Sequence, residues 1–313
     1  MTFNKEVQSL ADDVNSIKDT VESLSHALEV VEELAPTAPP LPPGRNVEIP
    51  DRGTTFIREI KGPVGAKTLL LLHGWTATAD LNWFTSYEQL GQHFNVVALD
   101  HRGHGRGIRS NDEFKLEQCA QDAVALADVL GISTFIPVGY SMGGAIAQII
   151  ANNYTDRVDA LVLSSTASIF SSTRAERLSF LGLSGLAVLA KFTPAQARSW
   201  ITEQVYLNRK TDAWHPWAIE EVSRHDWKAI LEAGREIGDF NSSTWLSELD
   251  IPTSVIITMA DDVVPTRRQI QLFKTLNNAE AYRVDGDHDA VVENAKTYVP
   301  TLVRACHSAI SRI

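Results

Sequence analysis

The sequence predicts an α/β fold: a doubly wound, mostly parallel sheet with an inserted helical cap, preceded by an N-terminal heptad helix. Three observations carry this expectation. Short continuous apolar runs that end in polar or glycine-rich turns alternate with helical patterns, as parallel strands covered on both faces require. Residues 168–250 break the alternation with short helical patterns and five of the seven tryptophans, a stretch too long for a loop in a compact domain. Residues 1–34 place apolar side chains at alternating steps of three and four without a miss.

That first segment puts Val7, Leu10, Val14, Ile17, Val21, Leu24, Leu28 and Val31 on one seam. Valine at most a positions with leucine or isoleucine at d favours a parallel two-stranded coil, and Asp13 and Lys18 flank the seam with opposite charges. Self-association or a partner helix through residues 7–31 is therefore expected; the plainer alternative is an amphipathic helix lying on the protein's own body. Residues 35–45 form a Pro-rich linker, with five prolines in Ala35–Gly44 that stop the helix and impose an extended spacer.

The body of the fold is expected in 46–167 and 251–313. Val47–Ile49 and Thr54–Ile60 read as strands turned at Pro50–Gly53, and Lys67–Leu72 and Asn95–Leu99 as buried strands. Leu116–Leu130 has helical spacing and stops at Gly131, a C-cap. Ala160–Ser164, Thr253–Met259 and Ala279–Val284 complete the strands, and the C-terminal stretch from Val291 is helical, with Pro300 expected to start a new helix or kink this one. Within 168–250, Leu178–Ala190 is uncharged and apolar, a cap helix that is buried or faces a pocket or, alternatively, contacts a membrane interface.

Composition narrows the function. The 313 residues carry a net charge of −11, more than half of it in Met1–Ala35, where eight acidic side chains meet two basic ones. A basic face for nucleic acid is not expected. No stretch reaches the ~20 apolar residues of a membrane span, and the N-terminus lacks a basic region followed by an apolar one, so a cytoplasmic location is expected. Cys119 and Cys306 fall in helical patterns and read as buried small hydrophobes.

The chemistry gathers at Thr134–Gly144, where an apolar run ends in Gly139-Tyr140-Ser141-Met142-Gly143 and passes directly into a helical pattern. A strand, a sharp turn and a helix put the serine at the apex, and the two glycines leave the room such a turn needs. Three further motifs accompany it: His73-Gly74-Trp75 after an early strand, Asp261 four residues before Pro265, and Gly286-Asp287-His288 near the end. Together they resemble the α/β-hydrolase fold family, in its capped esterase, lipase and cofactor-free haloperoxidase-like group, over residues 46–313.

The resemblance implies a serine hydrolase that cleaves esters of small to medium lipophilic acyl groups through an acyl-enzyme. Ser141 would be the nucleophile, His288 its base and Asp261 the acid that orients the imidazole, with Asp262 the nearest competitor for that place. Backbone N–H groups of Trp75 and Met142 would form the oxyanion hole. Relatives with an aspartate nucleophile, such as haloalkane dehalogenases and epoxide hydrolases, are set aside by Ser141. Thioesterase, lactonase and perhydrolase activities remain open on the same triad, as does a hydrolase-like receptor or scaffold acting through the N-terminal helix. No cofactor and no metal are expected. His73 and the loop Asp100–Gly105 read as structural braces, and His101 with His104 lacks a third metal ligand in the sequence. His215 and His225 read as surface or pocket-wall groups.

Overall fold

A computed structural model of the chain describes residues 38–171 and 216–313. The heptad segment, Leu178–Ala190, His215, Trp200 and Trp214 lie outside the described residues. Eight strands form one sheet: β1 (Gly44–Ile49), β2 (Gly53–Ile60), β3 (Thr68–Leu72), β4 (Asn95–Leu99), β5 (Ile136–Tyr140), β6 (Leu161–Ser164), β7 (Thr253–Thr258) and β8 (Ala279–Val284), in the order 1-2-4-3-5-6-7-8. Strand β2 is antiparallel to both of its neighbours, β1 and β4, and every pair from β4 to β8 is parallel.

Strand period dictates the two cores. Leu70, Leu72, Val97 and Leu99 face one layer, whereas Leu69, Leu71, Val96 and Ala98 face the other. The first layer holds α3 (Leu116–Val129) and α4 (Met142–Asn153). The second holds α1 (Ala79–Trp83), α2 (Tyr87–Gly91) and α9 (Ala295–Ser311). Helix α3 ends as its sequence expects. Gly131 takes φ 69°, its N–H donates to Asp128 O at 3.0 Å, and Ile132 N–H donates to Ala127 O at 2.9 Å, the paired bonds of a Schellman cap. Cys119 and Cys306 are buried free thiols, and burial pushes both above the usual thiol range.

The chain leaves the sheet after β6 and rejoins it at β7. An antiparallel bridge, Ile169↔Asn241, ties the two ends of the insertion together. Its described part forms α5 (Pro216–Ser223) and α6 (Trp227–Asp239). Helix α7 (Thr266–Thr275) follows β7, and α8 (Ala290–Glu293) follows β8.

Two expectations need correction. The break near the C-terminus falls at Asn294, between α8 and α9, and Pro300 sits inside α9, which excludes the first of its two expected roles, the start of a new helix. The end of the proline-rich segment is docked instead of serving only as a spacer. Leu41 is partly buried against both the second core and the cap cluster, and Pro42 O and Pro43 O accept hydrogen bonds from Arg58 Nη1 and Glu59 N. Among the described residues, no helix is long and apolar enough to cross a membrane.

Candidate active site

The strand order reverses on either side of β3, so the crevice beyond the C-terminal ends of β3 and β5 is the place where such a sheet offers a site. Leu72 pairs with Gly139 in register, which sets the Gly74–Trp75 turn beside Ser141. Ser141 takes φ 53° and ψ −116°, a conformation that L residues adopt at a cost of about 1–3 kcal/mol. It is held by Ser141 N–H to Ser164 O at 3.0 Å and by Thr166 Oγ1–H to Ser141 O at 2.8 Å. The glycines act through space. A Cβ on Gly139 would stand 2.3 Å from Gly143 O, and one on Gly143 would stand 2.0 Å from Leu72 O. Only hydrogen at both positions lets α4 start this close to β3.

Ser141 Oγ lies 3.0 Å from His288 Nε2, although 147 residues separate them in sequence. On the other side of the ring, His288 Nδ1 is 2.8 Å from Asp261 Oδ2. A carboxylate accepts only, so Nδ1 carries the proton and Nε2 is free to accept from the serine. Asp261 is buried and fully engaged. Its Oδ1 accepts from the N–H groups of Val263 at 3.0 Å and Val264 at 2.8 Å, and its Oδ2 also accepts from Thr258 Oγ1 at 2.8 Å and Gln269 Nε2 at 3.0 Å. These donors satisfy the carboxylate and fix its direction, whereas the competitor Asp262 is exposed.

Met142 is the first residue of α4, so its N–H is among those a helix leaves without an intrahelical acceptor. Trp75 sits in a turn whose neighbours are pinned. Gly74 N–H donates to Asn82 Oδ1 at 2.9 Å, and His73 Nδ1 donates to Gly74 O at 2.7 Å. Because the Gly74–Trp75 peptide is planar, holding its carbonyl also fixes the direction of the Trp75 N–H. A small cleft that includes His288 is lined by Trp75, Leu81, Tyr140, Val291 and Val292, with Asn82 and Asp289 as polar members. Roomier clefts, along Arg283–Arg304 and between Glu117 and Trp245, contain none of Ser141, Asp261 and His288.

His73 braces loops as the sequence suggests, since its Nε2 accepts from His101 N–H at 3.0 Å. His225 differs from expectation: it is buried and belongs to neither the surface nor the cleft wall. His73, His101, His104 and His225 form a chain of tilted and edge-on ring contacts, with successive centroids 4.4–5.5 Å apart. Burial holds all four well below the usual imidazole range, His101 at about 3 and His225 at about 4. Among the described residues, no group of three such side chains is placed to hold a metal ion.

The loop after β4 braces the same corner. Asp100 Oδ1 accepts from Ala79 N–H and Oδ2 from Arg106 N–H, both at 2.8 Å, and burial pushes Asp100 up to about 6 despite the nearby Arg106 guanidinium. Arg106 also reaches Asp80 at 2.7 Å and Glu221 of α5 at 3.2 Å, joining core to cap. Sequence reading missed Asn82, Thr258, Gln269 and Tyr140. Thr258 alone left a trace, as a polar residue that closes an apolar strand three positions before Asp261.

A family model described as alpha/beta hydrolase fold matches residues 67–295. The chain belongs to the α/β-hydrolase fold family. Within it, pyrrolizixenacetamide deacetylase of Xenorhabdus hominickii is 24% identical over 263 residues, 81% of this chain and 94% of that protein. The enol-lactonase from Burkholderia xenovorans LB400 has the same fold, with a TM-score of 0.71 at 20% identity over 84% of this chain and 100% of that one. So does a thermophilic esterase from Thermogutta terrifontis, with a TM-score of 0.70 at 19% identity over 85% and 99%.

Proposed function

We propose that this α/β-hydrolase is a serine hydrolase that cleaves carboxylic esters of small to medium lipophilic acyl groups through an acyl-enzyme. The observation that carries the reading is the alignment of Ser141 Oγ, His288 and Asp261 through contacts of 3.0 Å and 2.8 Å. A serine hydroxyl is almost unreactive at neutral pH until a base takes its proton. In this reading His288 Nε2 accepts that proton as Oγ attacks the acyl carbon, then delivers it to the leaving alkoxide. Asp261 holds the tautomer and stabilises the imidazolium. The N–H groups of Trp75 and Met142 receive the charge that develops on the carbonyl oxygen, each worth about 3 kcal/mol in the transition state. Water then enters and gives a proton to His288 as its oxygen bonds to the acyl carbon; the acyl–Oγ bond breaks, His288 returns the proton to Ser141 Oγ, and the acid leaves.

The apolar wall of Trp75, Leu81, Val291 and Val292, backed by a cap cluster with Trp217 and Trp227, supports a lipophilic acyl group. The names deacetylase, enol-lactonase and esterase among the similar proteins all describe acyl transfer to water, which supports the reaction class. A panel of esters, thioesters and lactones of graded acyl length tests the assignment. Esters should give the highest kcat/KM, falling at least 10³-fold in Ser141→Ala; a preference for lactones or thioesters would reassign the substrate while leaving the triad's roles in place. The heptad segment is proposed to join copies of the chain. Removing residues 1–35 should lower the mass found by light scattering and leave ester turnover within twofold, and an unchanged mass would refute that role.

A further inference from the structure

The segment between α5 and α6 lies against the loops that follow β3 and β4, and His225 is bonded to both. Gly105 N–H donates to His225 Nδ1 at 2.8 Å. An amide N–H can only donate, so Nδ1 is the unprotonated nitrogen and the ring proton sits on Nε2. His225 Nε2–H in turn donates to Thr76 O at 3.1 Å. The bonds on the two ring nitrogens thus select a single neutral tautomer.

The residue it holds is strained. Thr76 has φ 60° and is the third residue of a turn closed by Ala77 N–H to Gly74 O at 3.4 Å. Turns with a positive φ there favour glycine, and a β-branched side chain makes the conformation a genuine outlier. The turn includes Trp75, whose indole Nε1–H donates to Ile230 O of α6 at 2.7 Å. Thr78 Oγ1 adds a 3.3 Å bond to Glu221 Oε2 of α5. The cap therefore grips this turn at Trp75 and Thr76 and the chain just beyond it at Thr78, and at Thr76 it grips the main chain itself.

We infer that His225 is a positioning residue for acyl transfer: by holding the Thr76 carbonyl, it keeps the strained Trp75–Thr76 turn and the Trp75 N–H aimed at the acyl oxygen on Ser141. The inference rests on the proposed acyl-transfer reading. It also gives the described part of the cap a part in organising the oxyanion hole, beyond covering the cleft.

Substitution separates the two bonds of the ring. Asparagine at 225 reproduces the acceptor at Nδ1 but not the donor at Nε2, and glutamine reproduces the donor. The full-length chain and its His225→Asn and His225→Gln variants are compared by p-nitrophenyl acetate turnover and by the rate of fluorophosphonate labelling of Ser141, with thermal melts to establish folding. His225→Asn should lose between about tenfold and a hundredfold in kcat and labelling rate with KM within threefold, while His225→Gln stays within about threefold of wild type. Adding Thr76→Gly to His225→Asn should restore at least a third of the lost rate, because glycine adopts the positive φ without help. Equal rates in the Asn and Gln variants, or no recovery with Thr76→Gly, would overturn the inference. Wild type that neither turns over the ester nor takes the label, like Ser141→Ala, would instead overturn the acyl-transfer reading and the inference with it.

Discussion

The Tyr140 hydroxyl donates to the main-chain carbonyl of His288, so the residue just before Ser141 ties down the loop that bears the imidazole. The Tyr140 ring is fixed in turn by an edge contact with Trp83, with centroids 6.1 Å apart at 87°. Tyr140→Phe keeps the ring and removes the tether. It should lower kcat about tenfold with KM nearly unchanged, and lower stability by about 1–3 kcal/mol for the partner left without its donor. Steady-state kinetics with a denaturant titration measure both, and unchanged kcat would mean that the loop holds His288 unaided.

Asp261 and Asp262 are adjacent in sequence but differ in surroundings, the first buried among five donors and the second exposed. Asp261→Asn should cut kcat by about 10³–10⁴-fold, since an amide no longer fixes the ring proton on Nδ1. Asp262→Asn should leave kcat within twofold. Ester turnover by the two variants decides the matter, and the reverse ranking would assign the acid to Asp262.

Gly143 is required by space and Gly65 by backbone conformation. A Cβ on Gly143 meets Leu72 O at 2.0 Å, whereas one on Gly65, at φ 80°, meets nothing within 4 Å. Gly143→Ala should therefore cost more than about 3 kcal/mol or prevent folding, and Gly65→Ala about 1 kcal/mol. Urea titrations of both variants compare the costs.

Much of the site was legible because its signals are local. Gly139–Gly143 encodes a strand, a turn and a helix within a few residues, and Asp261 and His288 each follow a strand, the first buried throughout and the second at the sheet edge, where a doubly wound sheet places its working loops. The partners of these residues were not legible. Arg58, Asp80, Arg106 and Glu221 form one ionic cluster with buried carboxylates and half-buried guanidinium groups, yet they span more than 160 positions with no period to connect them. His225 sits in a polar stretch, Arg224-His225-Asp226, that gives no hint of burial; only the fold brings Gly105 and Thr76 to its two nitrogens. Pro300 was misleading because a proline inside a helix costs one hydrogen bond, which the buried face of α9 (Tyr298, Leu302, Ala305, Cys306) offsets.

The histidine cluster predicts acid sensitivity. His73, His101, His104 and His225 are held below their unfolded pKa, so between pH 6.5 and about 4 the unfolded chain binds more protons than the native one. Their contribution is complete above pH 6.5 and is lost as pH falls, by up to about 1.4 kcal/mol per pH unit for each. Asp100, raised from 3.8 to about 6, has the opposite sign: its contribution is present below pH 3.8 and is lost as pH rises through 6. Four groups outweigh one, so stability should fall steeply from pH 6.5 to 4.5 in denaturant titrations, and His225→Gln should flatten the slope. A flat profile would mean that the imidazoles are charged in the native state.

Trapping the intermediate tests the central claim most directly. The full-length protein is mixed with a p-nitrophenyl ester, quenched in acid within the first turnover and digested for mass spectrometry. A burst of p-nitrophenol together with the acyl mass on the peptide bearing Ser141, both absent in Ser141→Ala, is the predicted result. Turnover that persists in Ser141→Ala, or an acyl group found on another residue, would contradict the account.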